Sequence, residues 1–154
     1  MANWLVTGAS SGIGYGIAMA ALTAGNRVAV TSRSLAKLQR LTEQYPQQCF
    51  PVALELSDDD SIVLAIEKLD DFGLIDVLMT NAGHGYRAAV EEGEDERIRE
   101  IYATNLFGPV KLIRHFLPHM RHQHGGAIIN ISSVAAVQSG VGSGYYASTK
   151  AALE

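Results

Sequence analysis

The sequence predicts a three-layer α/β/α fold, a doubly wound parallel sheet with helices on both faces. Three observations predict it. Strand-like and helical segments alternate five times along 154 residues; the strand-like segments are mostly apolar, as strands covered on both faces must be; and a glycine-rich turn joins the first strand to the first helix. Right-handed crossovers then give the strand order 3-2-1-4-5, with a ligand crevice outside the carboxyl ends of strands one and four.

Each element has its own local warrant. Trp4, Leu5 and Val6 mark a strand near 3–7, and an alanine-rich stretch marks a helix near 12–25 that Gly25-Asn26 stops. Val28-Ala29-Val30 places a strand near 27–31, followed by a helix near 35–45, a strand near 50–54 and a helix near 59–70. The apolar run Ile75 to Met79 gives a strand near 75–80. A long helix is predicted over 95–122, its basic end suited to the negative end of the helix dipole and closed by Gly125-Gly126. Ala127 to Ile131 predicts a strand near 127–132, and a last helix starts near Gly144. With no repeat, low-complexity tract or linker, residues 1–154 read as one domain.

Composition narrows the function classes. A chain 47% hydrophobic and 18% charged can bury a substantial core. A net charge of −4 without a basic cluster leaves no footprint for nucleic acid or for an anionic membrane. The first strand begins within a few residues of Met1 and no apolar run reaches spanning length, so a cytoplasmic location is expected. Cys49 stands alone, so no internal disulfide is possible, and it reads as a small apolar residue leading into a strand. His115, His119, His122 and His124 cluster without a carboxylate or thiolate in the same stretch, so no metal site is expected.

Two local patterns carry chemistry. Thr7-Gly8-Ala9-Ser10-Ser11-Gly12-Ile13-Gly14 falls in the first strand-to-helix turn. There glycines permit a sharp bend and a close ligand approach, and the helix N-terminus offers free N–H groups to a pyrophosphate. Near the other end, Tyr146 and Lys150 lie four residues apart and share a helical face. A free tyrosine has a pKa of about 10, and a neighbouring ammonium favours the ionised phenol, so the pair suits proton transfer. Tyr145 lacks this arrangement, because its i+4 residue is Thr149.

Taken with Asn81-Ala82-Gly83, Asn105 and Ile131-Ser132-Ser133, these motifs resemble the short-chain dehydrogenase/reductase family in order and spacing. The resemblance covers essentially all 154 residues, and the family's pattern continues beyond them. It implies a Rossmann-like nucleotide-binding domain, incomplete at its carboxy-terminal end, and a reaction that interconverts a carbonyl and an alcohol by hydride transfer. In that scheme Tyr146 is the acid/base and Lys150 also holds nicotinamide ribose hydroxyls. Asn105 corresponds to the asparagine supporting a lysine-linked water, and Ser133, thirteen residues before Tyr146, bonds the substrate oxygen. Ser132 is set aside on the family spacing and on strand alternation. Gly8, Ser10, Ser11, Gly12, Ile13 and Gly14 would contact the cofactor phosphates, while Asn81, Ala82 and Gly83 would line the adenine ribose side. Thr80 replaces a frequent second asparagine.

Cofactor choice is expected at the end of the second strand, where neutral Ser32 and cationic Arg33 replace the acidic residue that would favour NAD(H). A guanidinium grips a phosphate in bidentate fashion, so NADP(H) is favoured, with NAD(H) as the alternative. Where the family carries aspartate beside adenine this chain has Glu55, and either its longer side chain or Asp58 would serve. His84 follows Asn81-Ala82-Gly83 and would touch substrate or shield the cofactor.

The substrate is a small carbonyl or alcohol, and ketones, sugars, steroids and acyl carriers all fit the sequence. Homo-oligomers are expected for a full-length protein through helices equivalent to 95–122 and the one from Gly144. Because residue 154 falls inside that last helix, truncation is expected, and an inactive fragment is one alternative. A nucleotide-binding sensor without turnover is the other, though such a protein has no chemical need of the tyrosine–lysine pair.

Overall fold

The computed structural model describes residues 1–154. A five-stranded parallel sheet runs in the order β3-β2-β1-β4-β5, as the crossover rule requires. Its strands are β1 (Asn3–Val6), β2 (Arg27–Ser32), β3 (Cys49–Ala53), β4 (Val77–Thr80) and β5 (Ala127–Asn130). In the central register Leu5 pairs with Ala29 on one side and Leu78 on the other.

Successive side chains of a strand point to opposite faces, and the core divides accordingly. Leu5, Ala29, Val52 and Leu78 face one layer, where they meet Ile62, Ala65 and Leu69 of α3 (Asp59–Asp70) and Leu112, Phe116 and Met120 of α5 (Gly108–His122). Val6, Val28, Val30 and Met79 face the other, against Ala18, Ala21 and Leu22 of α1 (Gly12–Thr23) and Leu41 of α2 (Gln39–Gln44). Cys49 is buried in this second layer, where desolvation pushes its thiol up to about 11. That agrees with a small apolar role, because an unionised buried thiol is inert.

Several elements differ from the sequence expectation. The stretch predicted as one helix over 95–122 is α4 (Asp95–Tyr102), a π-helical turn (Ala103–Phe107) and α5. Pro109, at the start of α5, has no N–H to bond back into the preceding turn, which accounts for an interruption here. Gly108 sits where α5 meets the chain after β3; a Cβ there would stand 2.6 Å from the Leu56 carbonyl oxygen. The helix expected over 35–45 starts as a 3-10 turn (Leu35–Leu38) before α2. Strand β5 ends at Asn130 rather than 132, and β4 begins at Val77 rather than 75. The last helix, α6 (Gly144–Leu153), begins where expected. No helix is long and apolar enough to cross a membrane.

Candidate active site

A cleft of about 830 Å³ opens at the carboxyl ends of the strands. It is large enough for a dinucleotide-sized ligand to lie in part within it. The elements around it are stitched together before any ligand arrives. Thr7, at the end of β1, receives the amides of Asn81 (2.9 Å) and Ala82 (3.0 Å) on its hydroxyl. Asn81 returns its side-chain amide to the carbonyls of Thr7 (2.9 Å) and Gly8 (3.2 Å), and the Ala9 amide donates to Thr31 at the end of β2 (2.9 Å).

Gly8 lies at φ +67° beneath Ala82, whose Cα would be 2.9 Å from an added Cβ. Gly14 is equally restricted, because a Cβ there would collide with the Asn81 amide and the Gly8 carbonyl. The glycine at 14 therefore serves packing between the turn and β4, and neither it nor Gly12 lines the cleft. Gly8, Ser10, Ser11 and Ile13 do line it. Ser11 stands at the N-cap of helix α1 with no side-chain cap bond and no acidic residue in the first turn, so the free N–H groups and dipole of the helix remain available to an anion. Arg33, 76% exposed, stands on the cleft wall at the end of β2. A nicotinamide dinucleotide phosphate fits this donor set: unpaired helix N–H groups, an exposed guanidinium whose charge partner is Glu55 at 3.8 Å, and an open cleft.

Glu55 lines the cleft, whereas Asp58 does not. The Asp58 carboxylate caps α3, accepting from the amides of Asp60 (3.0 Å) and Ser61 (3.4 Å), so of the two acidic candidates only Glu55 borders the cleft.

The other end of the cleft holds Gly83, Tyr146 and Lys150. Lys150 is only 4% exposed; its ammonium donates to the Ile131 carbonyl (2.8 Å), and burial holds its pKa below the usual lysine value. Gly83 is forced here, since a Cβ would sit 2.9 Å from Asn105 Oδ1 and 3.5 Å from Lys150 Nζ. Asn105, fully buried in the π-helical turn, does not itself line the cleft. Its side chain clamps the loop after β4: Oδ1 accepts the His84 amide (3.0 Å), and Nδ2 donates to the His84 carbonyl (2.9 Å) and to Thr149 Oγ1 (3.1 Å). Asn105 thus joins the loop, the π-helical turn and α6 at one point.

The two serines are placed differently. Ser132 lines the cleft and donates to the Glu154 carboxylate (2.5 Å), whereas Ser133 caps a 3-10 turn, its hydroxyl accepting the Ala135 amide (3.2 Å). Strand alternation, used to separate the two, does not apply past Asn130, where β5 ends. Sequence reasoning also missed Arg97, Glu100 and Thr104, which reach the cleft from α4 and the π-helical turn. Glu100 lies between His84 Nε2 (3.9 Å) and Arg97 Nε (3.7 Å). An i, i+3 charge pair on an amphipathic helix was the available signal, and by itself it marks only a polar face.

Tyr145 has a structural task beside Tyr146. Its hydroxyl donates to the Val90 carbonyl (2.7 Å) and its ring stacks on Tyr86 at 5.8 Å, which pins the segment between β4 and α4 onto α6. Away from the cleft, His115 Nε2 faces Asp70 at 3.8 Å and its ring lies 5.7 Å from that of His119.

Comparison with known proteins places this arrangement. Residues 2–154 match the short chain dehydrogenase family. Oxidoreductase BOA17 of Botryotinia fuckeliana is 35% identical over 152 residues, which cover 97% of this chain and 56% of that protein. A short-chain dehydrogenase from Streptomyces avermitilis superposes with a TM-score of 0.95 at 40% identity, over 99% of this chain and 58% of its own. L-sorbose reductase from Gluconobacter frateurii, solved with NADPH and L-sorbose, gives a TM-score of 0.91 at 31% identity, over 99% of this chain and 60% of its own. The chain thus spans somewhat over half the length of these relatives, and across that span it belongs to the short-chain dehydrogenase family of oxidoreductases.

Proposed function

We propose that this chain carries the cofactor-binding and acid–base portion of an NADP(H)-dependent oxidoreductase that interconverts a carbonyl and an alcohol. The carrying observation is that the uncapped start of α1, Arg33, Tyr146 and Lys150 line one cleft. When bound, the dinucleotide supplies or accepts the hydride. The chain's own residues do the rest. Arg33 receives the 2′-phosphate, and the amides at the start of α1 receive the diphosphate. Tyr146 gives its phenolic proton to the nascent alkoxide in reduction and takes it back in oxidation.

A buried ammonium with one carbonyl partner and no carboxylate is costly in stability. Function explains that cost: Lys150 has N–H groups left for cofactor ribose hydroxyls, in the same cleft that Tyr146 lines. Gly83 leaves room beside it, and Asn105 holds the His84 loop against α6 so that the room persists. A serine hydroxyl at the end of β5 polarises the substrate oxygen. The family spacing assigns Ser133 and the cleft lining favours Ser132, so the two single alanine variants are a direct comparison. The L-sorbose reductase, solved with NADPH, supports both the phosphorylated cofactor and a small carbonyl substrate. Exposed Phe107 and Val110 on the outer side of the π-helical turn and α5 are consistent with homo-oligomers of a longer protein.

NADPH oxidation followed by absorbance with a panel of ketones and aldehydes tests the proposal. Tyr146→Phe is expected to lower turnover about 10²- to 10⁴-fold, the span usual for a lost acid/base group. NADPH affinity should stay nearly unchanged. Turnover retained by Tyr146→Phe would contradict the assignment.

A further inference from the structure

Arg33 and Glu55 face each other across the ends of β2 and β3, Nη1 to Oε2 at 3.8 Å. They are unequally free. The guanidinium makes no hydrogen bond and is mostly exposed. The carboxylate is 34% exposed and its other oxygen, Oε1, accepts both the hydroxyl (2.9 Å) and the amide (3.3 Å) of Ser57. The Glu55 amide in turn donates to Ser61 Oγ (2.8 Å), so backbone and side chain are both tied to the turn that Asp58 caps. A ligand entering the cleft can draw Arg33 away, but it meets a negative charge held in place.

We propose that Glu55 is a specificity-determining residue acting through Arg33: it holds the guanidinium in an ion pair that a 2′-phosphate must share, and so narrows the preference for NADPH over NADH. The inference rests on the cofactor reading above. A dinucleotide lacking the phosphate leaves the pair intact and Arg33 neutralised. One carrying the phosphate must share the guanidinium with a carboxylate that Ser57 prevents from retreating. Arg33 alone thus overstates the selectivity of this cleft. The pair together describes a site that prefers NADPH while still accepting NADH.

The test is a double-mutant cycle on the 154-residue chain, with NADPH and NADH titrated by nicotinamide fluorescence into the wild type, Glu55→Gln, Arg33→Gln and the double variant. Glutamine keeps the shape and the acceptor for Ser57, and circular dichroism checks that each variant folds. Glu55→Gln is expected to tighten NADPH about three- to fivefold, the scale of a partly exposed ion pair, and to move NADH by less than about twofold. In the Arg33→Gln background the same change should shift NADPH by less than about twofold. An unchanged NADPH-to-NADH ratio in Glu55→Gln would overturn the proposal. So would an equal gain in both backgrounds, which would mean that Glu55 acts on the phosphate directly. Failure of the wild type to bind either dinucleotide would overturn the cofactor reading and this inference with it, whereas tighter NADPH binding with no response to Glu55→Gln would leave the cofactor reading standing.

Discussion

At the residue scale, Lys150 carries a burial cost that the proposed function would explain. Desolvation lowers its pKa from 10.5 in the folded chain, so between the two values the unfolded chain binds more protons and stability rises with pH. The cost of burying the ammonium is therefore fully present below the lowered pKa and fades as pH rises through it towards 10.5. Replacing Lys150 by Met removes the titration and also removes the donor to Ile131, and only the first effect depends on pH. Urea unfolding at pH 7, 9 and 10 should show the stability of wild type relative to Lys150→Met increasing with pH. A difference that stays flat or moves the other way would contradict the burial argument. Cys49, whose thiol is raised by burial, titrates alike in both proteins and cancels. Most candidate site residues were legible because glycine, tyrosine and lysine at fixed spacings imply geometry directly. The choice between Ser132 and Ser133 was not, because it depends on where β5 stops, and strand ends leave little trace in an apolar run.

At the scale of elements, the α5-to-β5 connection carries a small strain just ahead of the glycine pair expected to close the helix, which ends at His122 as the sequence predicts. Gly125-Gly126 was the expected stop, yet His124 takes the left-handed conformation at φ 53° just after the Gln123 C-cap. A non-glycine residue there costs about 1 kcal/mol, so His124→Gly should stabilise the chain by up to that amount. A thermal melt checks this, and a lowered midpoint would contradict it. The π-helical turn at Ala103–Phe107 was illegible for a different reason. Apolar periodicity continues from Ile101 through Leu112, Phe116 and Met120, all buried, and a count of spacings does not register one widened turn. Pro109 was the available signal, since its missing N–H weakens the helix where the widening occurs. The five strands and their order were legible because both faces of the sheet are covered, which makes each strand an apolar run and each crossover obligatory.

Across the whole molecule, the sheet separates two cores and brings the start of α1, Arg33, Glu55, Tyr146 and Lys150 to one edge, although Gly8 and Lys150 are 142 positions apart in the chain. Topology makes the cleft, and the proposal is that the charges on its wall choose the ligand. The central claim is that this cleft holds a phosphorylated nicotinamide dinucleotide through Arg33. Its most direct test is the dissociation constants of NADPH and NADH for the wild-type chain and Arg33→Asp, measured by fluorescence at one fixed ionic strength. The account predicts saturable binding with NADPH tighter in the wild type and the preference reversed in Arg33→Asp, because a carboxylate repels the 2′-phosphate and accepts from the ribose hydroxyl. Absence of binding, or an NADPH-to-NADH ratio that the substitution leaves unchanged, would contradict it.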